Sequence, residues 1–347
     1  MSLKQFGMMN ENDAPLSITR SFSGESITEI FNNLVFLISL VFQASLAIML
    51  NLCGKRSAVF KQRINRYNYG VPKNFTRLVR KLENESGKIY SSIIYGYLAF
   101  TVMNLKIYQE CSKMKNEEED TRLYFCGVYS RTWYPIPLDF VPVKHILLVL
   151  QVMELFYFIP KASTAIVIFH GSVVLIEERI NDLKRFIRRT KVTESNADEV
   201  KNRLLFAVKN YAEIDDAVKN MNSTLGLIFS PLQHAILLGL LVFLEFRIIL
   251  ERNMESIPLL IFWSSFQCLI CWRGQCLENA SSSLQREVYE FPWYNLHPSS
   301  RSLFKIFYRH VQLTLKLRSP PFITLNMRYY YEVMKGSYSF LMFLHRF

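Results

Sequence analysis

Several apolar runs in this sequence are long enough to cross a lipid bilayer, and nothing else about it limits the fold as strongly. A helix needs about 20 mainly apolar residues to traverse the hydrocarbon core. Stretches 27–50, 90–108, 145–176, 225–244, 258–272 and 322–347 meet or approach that length. The fifth is short, and the sixth is interrupted near its start by Arg328, Glu332 and Lys335. Backbone polar groups in lipid must bond to one another, so such runs form helices. The expected fold is an all-α polytopic transmembrane bundle with six visible spans.

Composition agrees. Half of the 347 residues are hydrophobic, and the apolar residues are blocked rather than spread. The net charge of +12 raises the question of nucleic acid. A nucleic-acid binder would not place its basic residues between bilayer-length segments, so no nucleic-acid partner is expected. The six cysteines are too few and too scattered for a disulfide scaffold. The first residues lack a charged region followed by an apolar core and a small-residue cleavage site, so no cleavable signal peptide is read there.

Loop charge sets the orientation, because short loops rich in Lys and Arg stay in the cytoplasm. Loop 51–84 carries Lys55, Arg56, Lys61, Arg63, Arg66, Lys73, Arg77, Arg80 and Lys81. Loops 177–223 and 273–321 are also basic, whereas loop 109–144 holds the acidic run Glu117–Asp120 and loop 245–257 has only Arg247 and Arg252. The sequons at Asn74, Asn84, Asn222 and Asn279 all fall in the loops read as cytoplasmic, where they would stay unglycosylated. The C-terminus is then extracellular. Six spans put the N-terminus outside as well, although residues 1–26 are a polar tail without a translocation signal.

Catalytic constellations are missing: there is no Gly-rich phosphate loop, no His-Glu-x-x-His and no Gly-x-Ser-x-Gly elbow. The expectation is a protein that is not an enzyme and uses no cofactor or metal. Cys268-x-x-Cys271 lies inside an apolar span and reads as helix packing. Cys111 and Cys126 share the outer loop, where a disulfide is open to them.

The third span contains Glu154 and Lys161, which with Gln151 and Phe158 lie near one helical face. Pro160 is expected to kink that helix. Ionisable residues in a membrane are functional candidates because lipid burial is costly. The stripe reads equally as polar glue between helices or as the wall of a ligand cavity. Aromatic residues crowd the outer halves of several spans, among them Phe31, Tyr97, Phe100, Tyr157, Phe262, Trp263 and Phe266. Singly they read as packing or interface residues; together they suit a pocket for a small apolar ligand. In the last span, Met334, Ser337, Tyr338 and Leu341 fall near one face of a helix with small and hydroxyl residues. That face fits either a pore wall or an ordinary packed span.

The ending Tyr331-Glu332-Val333-Met334-Lys335-Gly336-Ser337-Tyr338-Ser339-Phe340-Leu341 resembles the terminal helix signature of the insect odorant receptor family. Gly274-Gln275-Cys276-Leu277-Glu278, Ser281–Ser283, Val288-Tyr289 and Trp293 are similar to the family's stretch after its sixth helix. Arg318-Ser319-Pro320-Pro321 and Ile323-Thr324-Leu325-Asn326 resemble the joint between the halves of its last helix. Looser similarity covers Trp133-Tyr134-Pro135, Gln151 and the 27–51 segment.

The resemblance implies a seven-helix, odorant-gated, non-selective cation channel of four subunits, with a cytoplasmic N-terminus and an extracellular C-terminus. It implies a ligand pocket in the outer half of region 27–272, lined by Phe31, Tyr97, Phe100, Gln151, Glu154, Tyr157, Phe158, Phe262, Trp263 and Phe266. Region 273–321 would be a cytoplasmic extension making subunit contacts. The final helix, 322–347, would line the pore through Met334, Ser337, Tyr338 and Leu341. The family's first helix finds no counterpart in residues 1–26. Loop 177–223 lacks the co-receptor's long insertion, which implies an odorant-tuning subunit paired with a co-receptor in a heterotetramer, in the plasma membrane of olfactory dendritic cilia. Gustatory receptors are the near alternative, but their endings carry Gln-Phe where Leu344-His345 stand here. A G-protein-coupled receptor lacks support because no Asn-Pro-x-x-Tyr closes the last span. A small-solute transporter would be expected to show an internal repeat, and none is visible. A tag fused after Phe347 should be cleaved by protease added to intact cells; protection of that tag would reverse the orientation.

Overall fold

The computed structural model describes residues 83–96, 124–126, 131–133, 159–190, 197–228, 231–249, 257–319 and 323–344, with single positions at 41, 44, 48, 80, 146, 149, 153, 156, 157 and 192. The chain divides into two units, Met1–Leu40 with Tyr97–Leu155, and Val41–Gly96 with Phe156–Phe347. In the first, strands β1 (Tyr124–Cys126) and β2 (Arg131–Trp133) pair antiparallel, with Tyr124 opposite Trp133 and Cys126 opposite Arg131. This hairpin falls in the expected outer loop; Cys111 lies outside the described residues.

The second unit contains six long helices among its described residues, besides the helical stretch 83–96. Helix α1 (Ile159–Arg188) carries Pro160, and positions 156–157 upstream are π-helical. The helix runs well beyond the expected span end at 176. Val173, Ile176, Ile180, Leu183 and Ile187 make a buried stripe at alternating steps of three and four. Helix α2 (Ala197–Ile228) occupies most of the basic loop and repeats the pattern with Val200, Leu204, Ala207, Tyr211, Ile214, Val218 and Met221.

Helix α3 (Pro231–Ile249) overlaps the expected 225–244 span, whose first four residues belong to α2. Helix α4 (Ile257–Tyr289) passes unbroken through Trp272, so the short span at 258–272 is only its first half. By length and composition α4 is long and apolar enough to cross a membrane. Helix α5 (Pro298–Val311) follows a 3-10 turn at Trp293–Asn295. Strands β3 (Arg318–Ser319) and β4 (Ile323–Thr324) then pair, and α6 (Met327–Leu344) closes the described chain. The last helix thus begins at Met327, five residues after the expected 322.

α4 is the common support. Its later half packs on α1 and α5, while α2 packs against α1 and α5 to complete a four-helix extension. The remaining pair, α3 and α6, packs together and against α4. Polar ties join the extension across its helices. Arg188 grips Glu287 with two hydrogen bonds, of 2.9 and 2.6 Å. This bond holds the Glu287 carboxyl below the usual carboxylate range. A lowered carboxylate contributes stability above its unfolded pKa and loses it as pH falls through the lowered value.

The segment between α5 and α6 is fastened along its length. The Ser281 hydroxyl accepts from the Leu315 N–H (2.9 Å), and Gln285 donates to the Gln312 carbonyl and the Thr314 hydroxyl. Asn222 donates to the Lys316 carbonyl and accepts from the Arg318 N–H, both at 3.0 Å. Glu278 pairs with Lys316 at 2.9 Å and accepts from Asn326, whose own Oδ1 caps α6 by accepting from the Tyr329 N–H. Gly274 sits beneath the Leu325 backbone, where an added Cβ would collide with the Leu325 carbonyl. Gly274→Ala should therefore destabilise the protein by about 1–3 kcal/mol, seen as a lower melting temperature in detergent. Gly171→Ala, which meets open space within 4 Å, should leave melting unchanged or raised.

Candidate ligand pocket and pore helix

Of the expected pocket residues, Phe31, Tyr97, Phe100, Gln151, Glu154 and Phe158 lie outside the described residues. The rest divide by exposure. On α4, Trp263 stands edge-on to Phe262 (centroids 5.3 Å apart) and to Phe266 (6.0 Å). Trp263 and Phe266 are buried at 4% and 7% exposure, while Phe262 keeps a partly open face. Trp263 and Phe266 therefore act first as packing. Tyr157 is exposed, and the Lys161 ammonium lies 5.7 Å from its ring centroid. That cation–π contact over one helical turn gives Lys161 a partner other than solvent.

A groove of about 300 Å³ opens between α4 and α5, lined by Ser282, Gln285, Arg286, Tyr289, Tyr308 and Gln312 among others. It belongs to the helical extension and not to the outer half, where the sequence places the ligand.

On α6 the four candidate pore residues differ in exposure. Ser337 and Leu341 are buried, at 0% and 1% exposure, on the side packed against α3 and α4. Tyr338 is open, at 55%, and Met334 lies at the boundary. Within the subunit, Ser337 and Leu341 are covered and Tyr338 is open. The four share an arc, but α3 covers half of it. The open face carries Arg328, Tyr331, Glu332, Lys335, Tyr338 and Met342.

Two polar clusters went unnoticed in the sequence. Arg273 on α4 donates from Nε to His170 Nδ1 on α1 (2.8 Å) and lies 4.5 Å over the Trp272 ring. Glu85, in the stretch 83–96, is 3.5 Å from His170 and 3.8 Å from Arg273. The contact joins the stretch 83–96, α1 and α4 at one level. In the second cluster, the Ser337 hydroxyl donates to Glu245 Oε1 on α3 at 3.0 Å. Glu245 stands where hydropathy sets the boundary of the outer loop 245–257, and a lone acid in the largely apolar run 235–249 is its only signal in the sequence. Cys268 and Cys271 are free thiols, the second fully buried, as helix packing requires.

The family model described as 7tm Odorant receptor matches residues 72–338, well over half of the chain. The chain belongs to the odorant receptor family. Its fold is that of a polytopic helical membrane receptor. The insect olfactory receptor OR5 from Machilis hrabei superposes with a TM-score of 0.71 at 12% identity, over 95% of this chain and 83% of that one. The same receptor solved in complex with eugenol superposes at 0.62 and 13%, over 99% and 93% of the two chains. No curated protein matches the sequence. An odorant receptor is a membrane-embedded receptor, and the family is one of receptors rather than enzymes.

The aromatic cluster of this odorant receptor separates packing from contact. Trp263→Ala should lower stability by about 3–5 kcal/mol and sharply reduce surface protein. Phe262→Ala should leave surface protein near wild type; equal losses for both would mean that Phe262 is packing too.

Proposed function

We propose that this chain is an odorant-tuning subunit of a ligand-gated, non-selective cation channel, assembled with a co-receptor in a heterotetramer. The observation that carries the reading is the open face of α6. A charged side chain facing lipid is expensive, yet Arg328, Glu332 and Lys335 all lie exposed on a helix whose later half is apolar. Such a face belongs against water or another subunit. Tyr331, Lys335, Tyr338 and Met342 follow one another at steps of four, three and four, a line that suits a pore wall with Met334 at its edge. Ser337 and Leu341 would support that wall from behind.

The tuning role is supported by the short connection between α1 and α2, residues 189–196, which leaves no room for a long insertion. A small volatile apolar ligand would bind in the outer half of the bundle. Tyr157 and Phe262 offer partly open faces there, and Phe31, Tyr97, Phe100, Gln151, Glu154 and Phe158 remain its expected lining, with Trp263 and Phe266 as backing. The ligand would favour the open state only by binding it more tightly. The receptor would lie in the plasma membrane of olfactory dendritic cilia with its C-terminus outside.

Whole-cell recording from cells expressing this chain with a co-receptor tests the reading. Short-chain esters, alcohols and phenols including eugenol form the test panel. We expect a cation current evoked by panel members that the co-receptor alone does not answer. Surface expression with neither an evoked nor a baseline conductance would contradict it.

A further inference from the structure

Glu245 stands about one turn before the end of α3, in a run whose neighbours Leu240, Leu241 and Leu244 are almost completely buried. One carboxyl oxygen accepts from Ser337 on α6, and the other, Oε2, is buried with no hydrogen-bond partner among the described residues. The Ser337 Oγ is also 2.9 Å from the Met334 carbonyl of its own helix. A hydroxyl carries one proton and serves one acceptor at a time. If α6 shifts, Ser337 keeps the Met334 bond and loses nothing. Glu245 instead loses its one seen partner, and an unpartnered carboxyl in an apolar setting is costly. The cost of separating the helices therefore falls on Glu245.

From this asymmetry we infer that Glu245 is a positioning residue for the pore helix, and that its bond with Ser337 biases the equilibrium between conducting and non-conducting states. The inference rests on the proposed channel function. Packing glue alone would fix α6 whatever the state of the channel. A bond that one partner can exchange for a local one distinguishes two positions of α6, which a gating element requires.

The test is a double-mutant cycle in cells expressing the full chain with a co-receptor. The readouts are the half-maximal concentration of the most effective panel odorant and the odorant-free conductance, each normalised to surface protein. Glu245→Ala and Ser337→Ala should each shift the half-maximal concentration about fivefold or more, and the double variant should shift it no further. Glu245→Gln, which keeps an acceptor oxygen, should restore most of the wild-type response. Additive shifts, or unchanged responses in both single variants, overturn the inference while leaving the channel reading intact. A wild type that reaches the surface and stays silent overturns the channel reading and the inference with it.

Discussion

The descent of the chain into its last helix depends on a place where no side chain fits. At Gly274 the backbone of Leu325 lies directly on α4, and any Cβ there would occupy the Leu325 carbonyl. This close approach brings Glu278, one turn further along α4, within reach of both Lys316 and Asn326. Asn326 then caps α6, so the starting point and direction of that helix follow from the α4 surface. Each hydrogen bond in the clamp contributes about 1 kcal/mol. Their number explains how a segment without a long helix can act as a rigid joint between α5 and α6. Asn222 extends the clamp to α2, which explains why a residue in a glycosylation sequon has its amide committed to the backbone at 316–318.

A continuous α4 crosses two environments, and its sequence changes accordingly. The first half is apolar and aromatic; the second carries Arg273 and Glu287, each paired with α1, and Glu278, paired with the segment that leads into α6. The change occurs near Trp272 and Arg273, where His170 and Glu85 meet α4. A buried cation needs such partners because its desolvation is otherwise uncompensated. The extension below therefore packs as a water-soluble bundle does, with apolar stripes inside and ion pairs at its surface.

Much of this organisation was legible in the sequence, in a particular sense. Bilayer-length hydropathy identified the polytopic class. Hydropathy failed where helices carry charge. The stripe from Val200 to Met221 is as regular as any, but its intervening Lys, Asp and Glu residues keep it below bilayer hydropathy, so 177–223 reads only as a basic loop. The same bias ended the fifth span at Trp272, although Leu277, Leu284 and Val288 continue the buried face. For the site, periodicity correctly grouped Met334, Ser337, Tyr338 and Leu341 on neighbouring positions. It gave no information on which side α3 would cover, because that depends on a distant packing partner. Glu245 escaped notice for the same reason: its meaning comes from Ser337, 92 residues away.

The account depends on α6 presenting one face to the pore and the other to its own subunit. Cysteine scanning with a charged, membrane-impermeant thiol reagent tests this most directly. Cysteines at Tyr331, Lys335, Tyr338 and Met342 should react and change the evoked current, while cysteines at Ser337 and Leu341 should be protected. Modification at Ser337 and Leu341 with none at Lys335 and Tyr338 would contradict the account.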